Sequence, residues 1–174
     1  MGLGKDYERQ ECTLARALEV VGERWTMLVV RDAFYGVRRF SDFRAHLDIP
    51  RAVLADRLAT LTAAGILAKQ RYRETPPRDE YVLTERGREL WSVVYPLMQW
   101  GDRHLANAGT MRIFEHTPCG ARLDQTGGCP DCGRLVPPDE VTIRPGPGEA
   151  LRKRDDPVTV ALRRPHPLLE PLLP

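Results

Sequence analysis

The chain has 174 residues, 42% of them hydrophobic, which is enough for one core or for one core with a small satellite. No apolar run approaches the length of a membrane span, and the opening MGLGKDYERQ has no apolar signal region, so a soluble cytoplasmic protein with no membrane partner is expected. The net charge of +2 announces no polyanionic partner, but the charge is uneven: Arg38 to Arg88 holds eleven Lys and Arg against seven Asp and Glu, while Met111 to the end holds nine of each.

CTLARALEVVGERWTMLVVRDAF, starting at Cys12, places Leu14, Leu18, Val21 and Trp25 at helical steps. Gly22 divides it into two helices, with Glu23 opening the second. GVRRFSDFRAHL turns at Gly36 and continues as a short helix with Ser41 at its N-cap and Phe43 and Leu47 on one face. In DIPRAVLADRLATLTAAGIL, Pro50 suits the first turn, Leu54, Leu58 and Leu61 form the seam, and Gly65 ends the helix. The period then changes. ILAKQRYRE and EYVLT read as two strands joined by the proline turn TPPRD. Thr84 opens one long final helix, kinked at Pro96, with Leu90, Trp91, Val94, Met98 and Leu105 on its apolar face.

Three helices, a hairpin and a closing helix predict a mainly α (α+β) winged helix-turn-helix, with a long C-terminal dimerisation helix and a small Cys/His module resembling a zinc ribbon. In the helix-turn-helix unit the second helix enters a major groove about 12 Å wide, and the hairpin reaches the neighbouring groove or backbone. Here the second helix turns Arg51, Ala52, Val53, Ala55, Asp56 and Arg57 away from its seam. Arg51 and Arg57 suit guanine edges or phosphates, Ala52 and Val53 suit thymine methyls, and Asp56 can accept from a cytosine amine. Arg38, Arg39, Ser41 and Arg44 flank the preceding helix as phosphate contacts, and Arg71, Arg73 and Arg78 line the wing. Any amphipathic helix exposes arginines. Double-stranded DNA is favoured because helix order, wing and local charge agree with one another.

These residues resemble the HxlR-type transcriptional regulators, relatives of the MarR winged-helix proteins. The resemblance lies in Cys12, Gly22, Arg24, Trp25, Arg31, Asp32, Gly36, Arg39 and Phe40, and above all in the wing, at Tyr72, Glu74, Pro76, Pro77, Arg78, Glu80, Tyr81, Leu83, Thr84 and Gly87. It covers about Cys12 to His104. It implies a homodimeric, sequence-specific DNA-binding regulator acting near its own gene, a repressor of a neighbouring gene responsive to a small molecule or a redox signal. Ala55 and Asp56 depart from the polar residues usual there, and neither the operator nor the effector carries over. The dimer also has a physical argument. Leu90, Trp91, Val94, Tyr95, Met98 and Trp100 present more aromatic surface than one small domain easily hides, and a second copy would bury it. The alternative is that Trp91 and Trp100 pack within the chain against Trp25 and Phe34.

HTPCGARLDQTGGCPDCGR, from His116 to Arg134, holds two look-alike knuckles. Structural zinc takes four sulfur or imidazole ligands at tetrahedral corners, and a two-residue spacer lets each pair chelate from one tight turn. His116 with Cys119, and Cys129 with Cys132, fit Zn2+, with Gly120 and Gly133 free to adopt positive φ behind them. A Cys129–Cys132 redox pair and a site that has lost its metal remain open. Cys12, at the start of the first helix, is a candidate redox sensor if the helix dipole lowers its pKa. Glu8 and Glu11 oppose that, and a free cysteine is often a small buried hydrophobe.

The chain is expected to divide into residues 1–108, the DNA-binding and dimerisation domain; 109–145, the metal module; and 146–174, a proline-rich tail, partly mobile. In that tail PGPG marks a linker, DPVTVALRR reads as a strand, and LLEPLL docks on the body or a partner. The winged-helix core, built upstream of His104, is expected to stay folded without metal. An enzyme finds no support: His46, His104, His116 and His166 are scattered, and no phosphate loop or nucleophile–base pattern appears. A protein-interaction adaptor using the wing and the zinc module is the other class in play.

Overall fold

The computed structural model describes residues 7, 11–106, 109–151 and 154–173. Its first half is the expected winged helix: α1 (Thr13–Val21), α2 (Thr26–Phe34), α3 (Phe40–Leu47), α4 (Arg51–Ala63), β1 (Leu67–Arg73), β2 (Arg78–Leu83), α5 (Glu85–Glu89) and α6 (Trp91–Leu105). α1 ends at its C-cap Gly22, where a Cβ would sit 2.5 Å from the Leu18 carbonyl oxygen. The second helix starts at Thr26, not at Glu23. Arg39, not Ser41, is the N-cap of α3; Ser41 is the second residue of the helix, with its hydroxyl donating to Asp42 at 3.0 Å. β1 and β2 pair antiparallel from Leu67 opposite Leu83, with a register shift between Arg71 and Arg73.

The single closing helix of the sequence reading is in fact two. The Thr84 hydroxyl accepts from the Gly87 N–H at 3.1 Å and donates to the Gly65 carbonyl at 2.6 Å. Gly87 lies so close to the wing base that a Cβ would be 2.2 Å from the Ile66 carbonyl oxygen. α5 is thus tied to the hairpin, while α6 turns at Leu90 to follow the core and carries Pro96 inside it.

After α6 come β3 (Arg112–His116), β4 (Gly128–Cys129), β5 (Arg134–Leu135), β6 (Val141–Pro145), α7 (Pro157–Ala161) and β7 (His166–Pro167). They form a sheet of order β3-β6-β7 and a two-stranded ribbon β4-β5. The stretch read as a strand, DPVTVALRR, is the helix α7: Asp156 caps it by accepting from the Thr159 N–H at 3.0 Å, and Pro157 supplies the first-turn φ. The PGPG stretch is not an open linker either. Gly146 is buried against the Thr110 carbonyl, and Glu149 pairs with Arg112 at 3.1 Å inside the protein.

The core crosses the expected boundaries. Trp91 lies 5.1 Å from Phe34 and 5.8 Å from Phe114 between ring centroids, and Tyr95 lies 5.2 Å from Phe114. Val158, Leu162 and Leu168 of the segment expected to be partly mobile are buried in the same core, because α7 packs on α3 and β7 pairs with β6. Residues 109–151 and 154–173 are therefore built onto the winged helix rather than hung from it. Among the described residues, no helix is long and apolar enough to cross a membrane.

Candidate nucleic-acid interface and Cys/His centre

The α3–α4 pair is held by Phe43, Leu47, Leu54, Leu58 and Leu61, all buried, and Asp48 makes the turn with a left-handed backbone, φ 52°. This leaves Arg51, Ala52, Ala55 and Asp56 exposed on α4, as expected, and Val53 half-buried against the core. Arg51 lies over the Phe40 ring, 5.8 Å from its centroid, at the edge of an open hollow of about 650 Å³ that Ser41 and Arg44 also line. Arg57 is less exposed than expected. Its side chain is only 18% exposed and is held by Asp56 at 2.5 Å and Glu23 at 3.5 Å.

The flanking arginines divide in the same way. Arg39 stacks on Tyr72 of the wing at 4.7 Å. Arg38 is turned away, paired with Glu80 at 3.5 Å and donating to the Leu169 carbonyl at 3.1 Å. On the wing, Arg71 and Lys69 share Asp79, at 2.5 and 3.0 Å, and their hydrogen bonds hold its carboxyl below the usual range. Arg73 donates to the Thr75 carbonyl. Arg78 is exposed and makes no ion pair with any described residue, so the Glu74 and Glu80 carboxylates do not occupy it.

Three of the six residues expected at a dimer interface are core instead. Trp91, Val94 and Tyr95 are buried, because Phe34 and Phe114 cover the aromatic face of α6; Leu90 and Met98 are half-buried, and only Trp100 is open, at 49%. Trp100 does not reach Trp25 or Phe34 but stacks on His104 at 5.3 Å. The exposed apolar side chains of α6 are Val93, Leu97, Trp100 and Leu105, and on α1 Leu14 and Leu18 are also exposed. The four- and three-residue spacing of Val93, Leu97 and Trp100 was the readable signal.

The four expected metal ligands converge. His116 ends β3 and is buried, Cys119 follows in the next turn, Cys129 ends β4 and is buried, and Cys132 lies in the knuckle beyond it. Gly120 and Gly133 take φ of 72° and 67°, as the knuckles require. The His116 Nδ1 is 3.1 Å from the Cys119 Sγ and 3.4 Å from the Cys132 Sγ, while Cys119 is 3.5 Å from Cys129 and 3.8 Å from Cys132. A tetrahedral ion with Zn–S bonds near 2.3 Å has S···S edges of roughly 3.8 Å. All four ligand atoms lie within 4.8 Å of one another, and no disulfide joins the cysteines.

Outside the ligands, the His116 Nε2 donates to Glu140 at 3.0 Å, and Arg134 also bonds Glu140, so a carboxylate orients the imidazole with Nδ1 toward the centre. Burial alone pushes the Cys129 thiol up, but the Cys132 N–H and the neighbouring thiols outweigh it and bring it down to about 7. Hydrogen bonding to Cys129 and Cys119 pushes Cys132 up to about 11. The Asp124 carboxylate accepts from the N–H groups of Thr126 and Gly128 to close the connector, and the Tyr95 hydroxyl donates to the Asp124 carbonyl at 2.8 Å, tying the centre to α6. Cys12 stands apart as the N-cap of α1 and is exposed, not a small buried hydrophobe.

The sequence profile of the HxlR-like helix-turn-helix family matches residues 20–108. The chain belongs to this family. Among relatives, the uncharacterized HTH-type transcriptional regulator Rv3095 of Mycobacterium tuberculosis is 44% identical over 137 residues, 78% of this chain and 87% of that protein. An alignment of that length does not fit inside residues 1–108, so it runs into the extension. YdeP of Bacillus subtilis, another uncharacterized HTH-type transcriptional regulator, is 30% identical over 106 residues, 59% of this chain and 83% of its own. Of solved structures, PA1607 superposes with a TM-score of 0.62 at 30% identity, covering 75% of this chain and 92% of its own. The redox regulator HypR in its oxidized form superposes with a TM-score of 0.51 at 32% identity, covering 55% and 99%.

Proposed function

We propose that this chain, a DNA-binding transcriptional regulator of the HxlR-like family, works in the cytoplasm as a homodimer that represses a neighbouring gene. The observation that carries the proposal is the α3–α4 unit, which exposes Arg51, Ala52, Ala55 and Asp56 in the position of a reading helix. Arg51 reads base edges. Ser41, Arg44 and Arg39 contact phosphate beside it, and Arg78 does so from the wing. The Val93, Leu97 and Trp100 stripe joins the two subunits and so sets the half-site spacing. Zn2+ is held by His116, Cys119, Cys129 and Cys132. With four protein ligands it has no open position, so its role is structural.

The test is anisotropy of labelled DNA from upstream of the protein's own gene, titrated across a salt series against an unrelated duplex of equal length. The operator should bind at least about a thousandfold more tightly than the unrelated duplex, with the binding constants of both falling as salt rises. Equal affinity for both duplexes at every salt concentration sinks the sequence-specific reading. Zinc is checked separately, by metal analysis of the reduced protein, which should carry one ion per subunit.

A second reading, regulation by thiol oxidation, is favoured by two observations: Cys12 is exposed at a helix N-terminus, and a solved neighbour is the redox regulator HypR. Loss of operator binding on peroxide treatment in wild type, but not in Cys12→Ser, supports it.

A further inference from the structure

We propose that the β6–β7 pair and residues 168–172 after it carry the state of the Cys/His centre into the helix-turn-helix, so that a loaded centre is required for full operator affinity. The proposal rests on the zinc and DNA-binding readings above. The path is short and made of backbone. The ligand His116 lies opposite Val141 in the β3–β6 pair, and its imidazole is held by Glu140, the residue before β6. The Thr117 N–H donates to the Glu140 carbonyl at 2.8 Å, which fixes the same junction from the other side. The Leu168 N–H donates to the Val141 carbonyl at 2.9 Å, just past the β6–β7 pairing.

From there the chain crosses onto the α2–α3 turn. The Leu169 N–H donates to the Phe34 carbonyl at 2.9 Å, and the Leu172 N–H donates to the Gly36 carbonyl at 3.0 Å. Arg38 returns a bond to the Leu169 carbonyl. Leu169 adopts a left-handed backbone, φ 67°, to make this crossing, and Leu168 beside it is 2% exposed. The seat is close: a Cβ on Gly36 would lie 1.7 Å from the Glu170 carbonyl oxygen. The glycine of the α2–α3 turn is therefore occupied by the C-terminal segment, and α3 inherits its position from it.

A second attachment lies further along α3, where Arg154 donates to the Ala45 carbonyl at 2.9 Å and α7 packs alongside. α3 is the helix that sets the angle of the reading helix α4. Releasing His116 from its ion frees the β6 end of the strap, and the order it imposes on α3 falls with it. Leu168, Leu169 and Leu172 are thus positioning residues for DNA binding, none of them a ligand or a DNA contact.

The experiment uses the full chain, stripped of metal and reloaded with Co2+, whose thiolate charge-transfer absorption reports on the centre alone. Operator affinity and amide exchange over residues 34–47 are measured loaded and stripped. Stripping should weaken operator binding by roughly tenfold or more and speed exchange in α3. Two variants cut the path without touching a ligand: Leu172→Pro, which removes the N–H bonded to Gly36, and removal of residues 165–174. In both, the cobalt absorption should persist, affinity should already be low, and stripping should change it less than about twofold. The strap is overturned by stripped wild type that binds as tightly as loaded protein, or by a cut variant that keeps the tenfold response. A reduced wild type that takes up no cobalt overturns the metal reading, and this proposal with it.

Discussion

Asp32 is fully buried, yet its carboxylate lies 2.7 Å from an Arg31 nitrogen and 2.7 Å from the His46 Nδ1. Burial by itself would push that carboxyl up. The Arg31 charge and the hydrogen bonds from His46 and Arg31 outweigh it and hold the group below the ordinary carboxylate range. A folded-state pKa below the unfolded value contributes stability that is present above the unfolded pKa and lost as pH falls through the folded one. Urea midpoints should therefore be steady at neutral pH and begin to fall below about pH 4. Asp32→Asn should lower stability at neutral pH by about 3–5 kcal/mol and flatten that acid dependence, because Arg31 is left without its partner at the α2–α3 junction. The same accounting separates two arginines that look alike in the sequence. Arg51 has no carboxylate partner among the described residues, whereas Arg57 is bound by Asp56 and Glu23. Arg51→Ala should lose roughly 1–3 kcal/mol of operator binding and relax one position of the site. Arg57→Ala should change operator affinity less and thermal stability more, and a larger affinity loss at Arg57 than at Arg51 would move the reading role to Arg57.

At the scale of elements, period and cap chemistry made the first half legible. The Leu54, Leu58 and Leu61 seam, the two strands of the wing and the Thr84 cap all stand where the residues put them. The break between α5 and α6 was hidden, because the apolar period runs through Leu90 undisturbed and the cause, the approach of Gly87 to Ile66, is tertiary. Strand β3 was illegible for another reason. In RIFEH the buried side is Arg112, Phe114 and His116, so an ion-paired arginine and a histidine of the Cys/His cluster take places that a hydrophobic alternation would give to apolar residues. Once β3 is seen to cover Trp91 and Tyr95, the unsatisfied face of α6 shifts round to Val93, Leu97 and Trp100. Leu97→Glu should then yield a monomer by light scattering with its far-ultraviolet spectrum unchanged, while a dimer that persists would exclude this face. On the wing, Arg78→Ala should lower the salt slope of binding by about 0.9 and weaken all sequences alike.

At the scale of the whole molecule, the grouping of His116, Cys119, Cys129 and Cys132 was readable from spacing alone, but the consequence of holding them together was not. The sequence divides into a winged helix that ends near His104 and a module beyond it, which implies that removing metal melts only the module. The packing implies otherwise. Phe114 of β3 packs edge-on against Trp91 and Tyr95 of α6, Tyr95 bonds the Asp124 carbonyl, and Leu168 lies in the same core as Phe34. None of these partners is near in sequence, so no local period announces them. A metal that binds the folded centre and not the unfolded chain adds its binding free energy to whatever unfolds with it. If that unit is the whole chain, calorimetry of the loaded protein should show one transition, and chelation should move the entire transition down in temperature. The near-ultraviolet signal of Trp91, which sits at the junction, should then disappear at the same temperature as the helical signal at 222 nm, with and without metal. Independent folding would instead give two transitions on chelation, with an early loss over the extension and a helical signal still melting where it did before. The shared aromatic junction argues for the first outcome, because unfolding β3 strips Phe114 from Trp91 and Tyr95 and leaves the face of α6 in water.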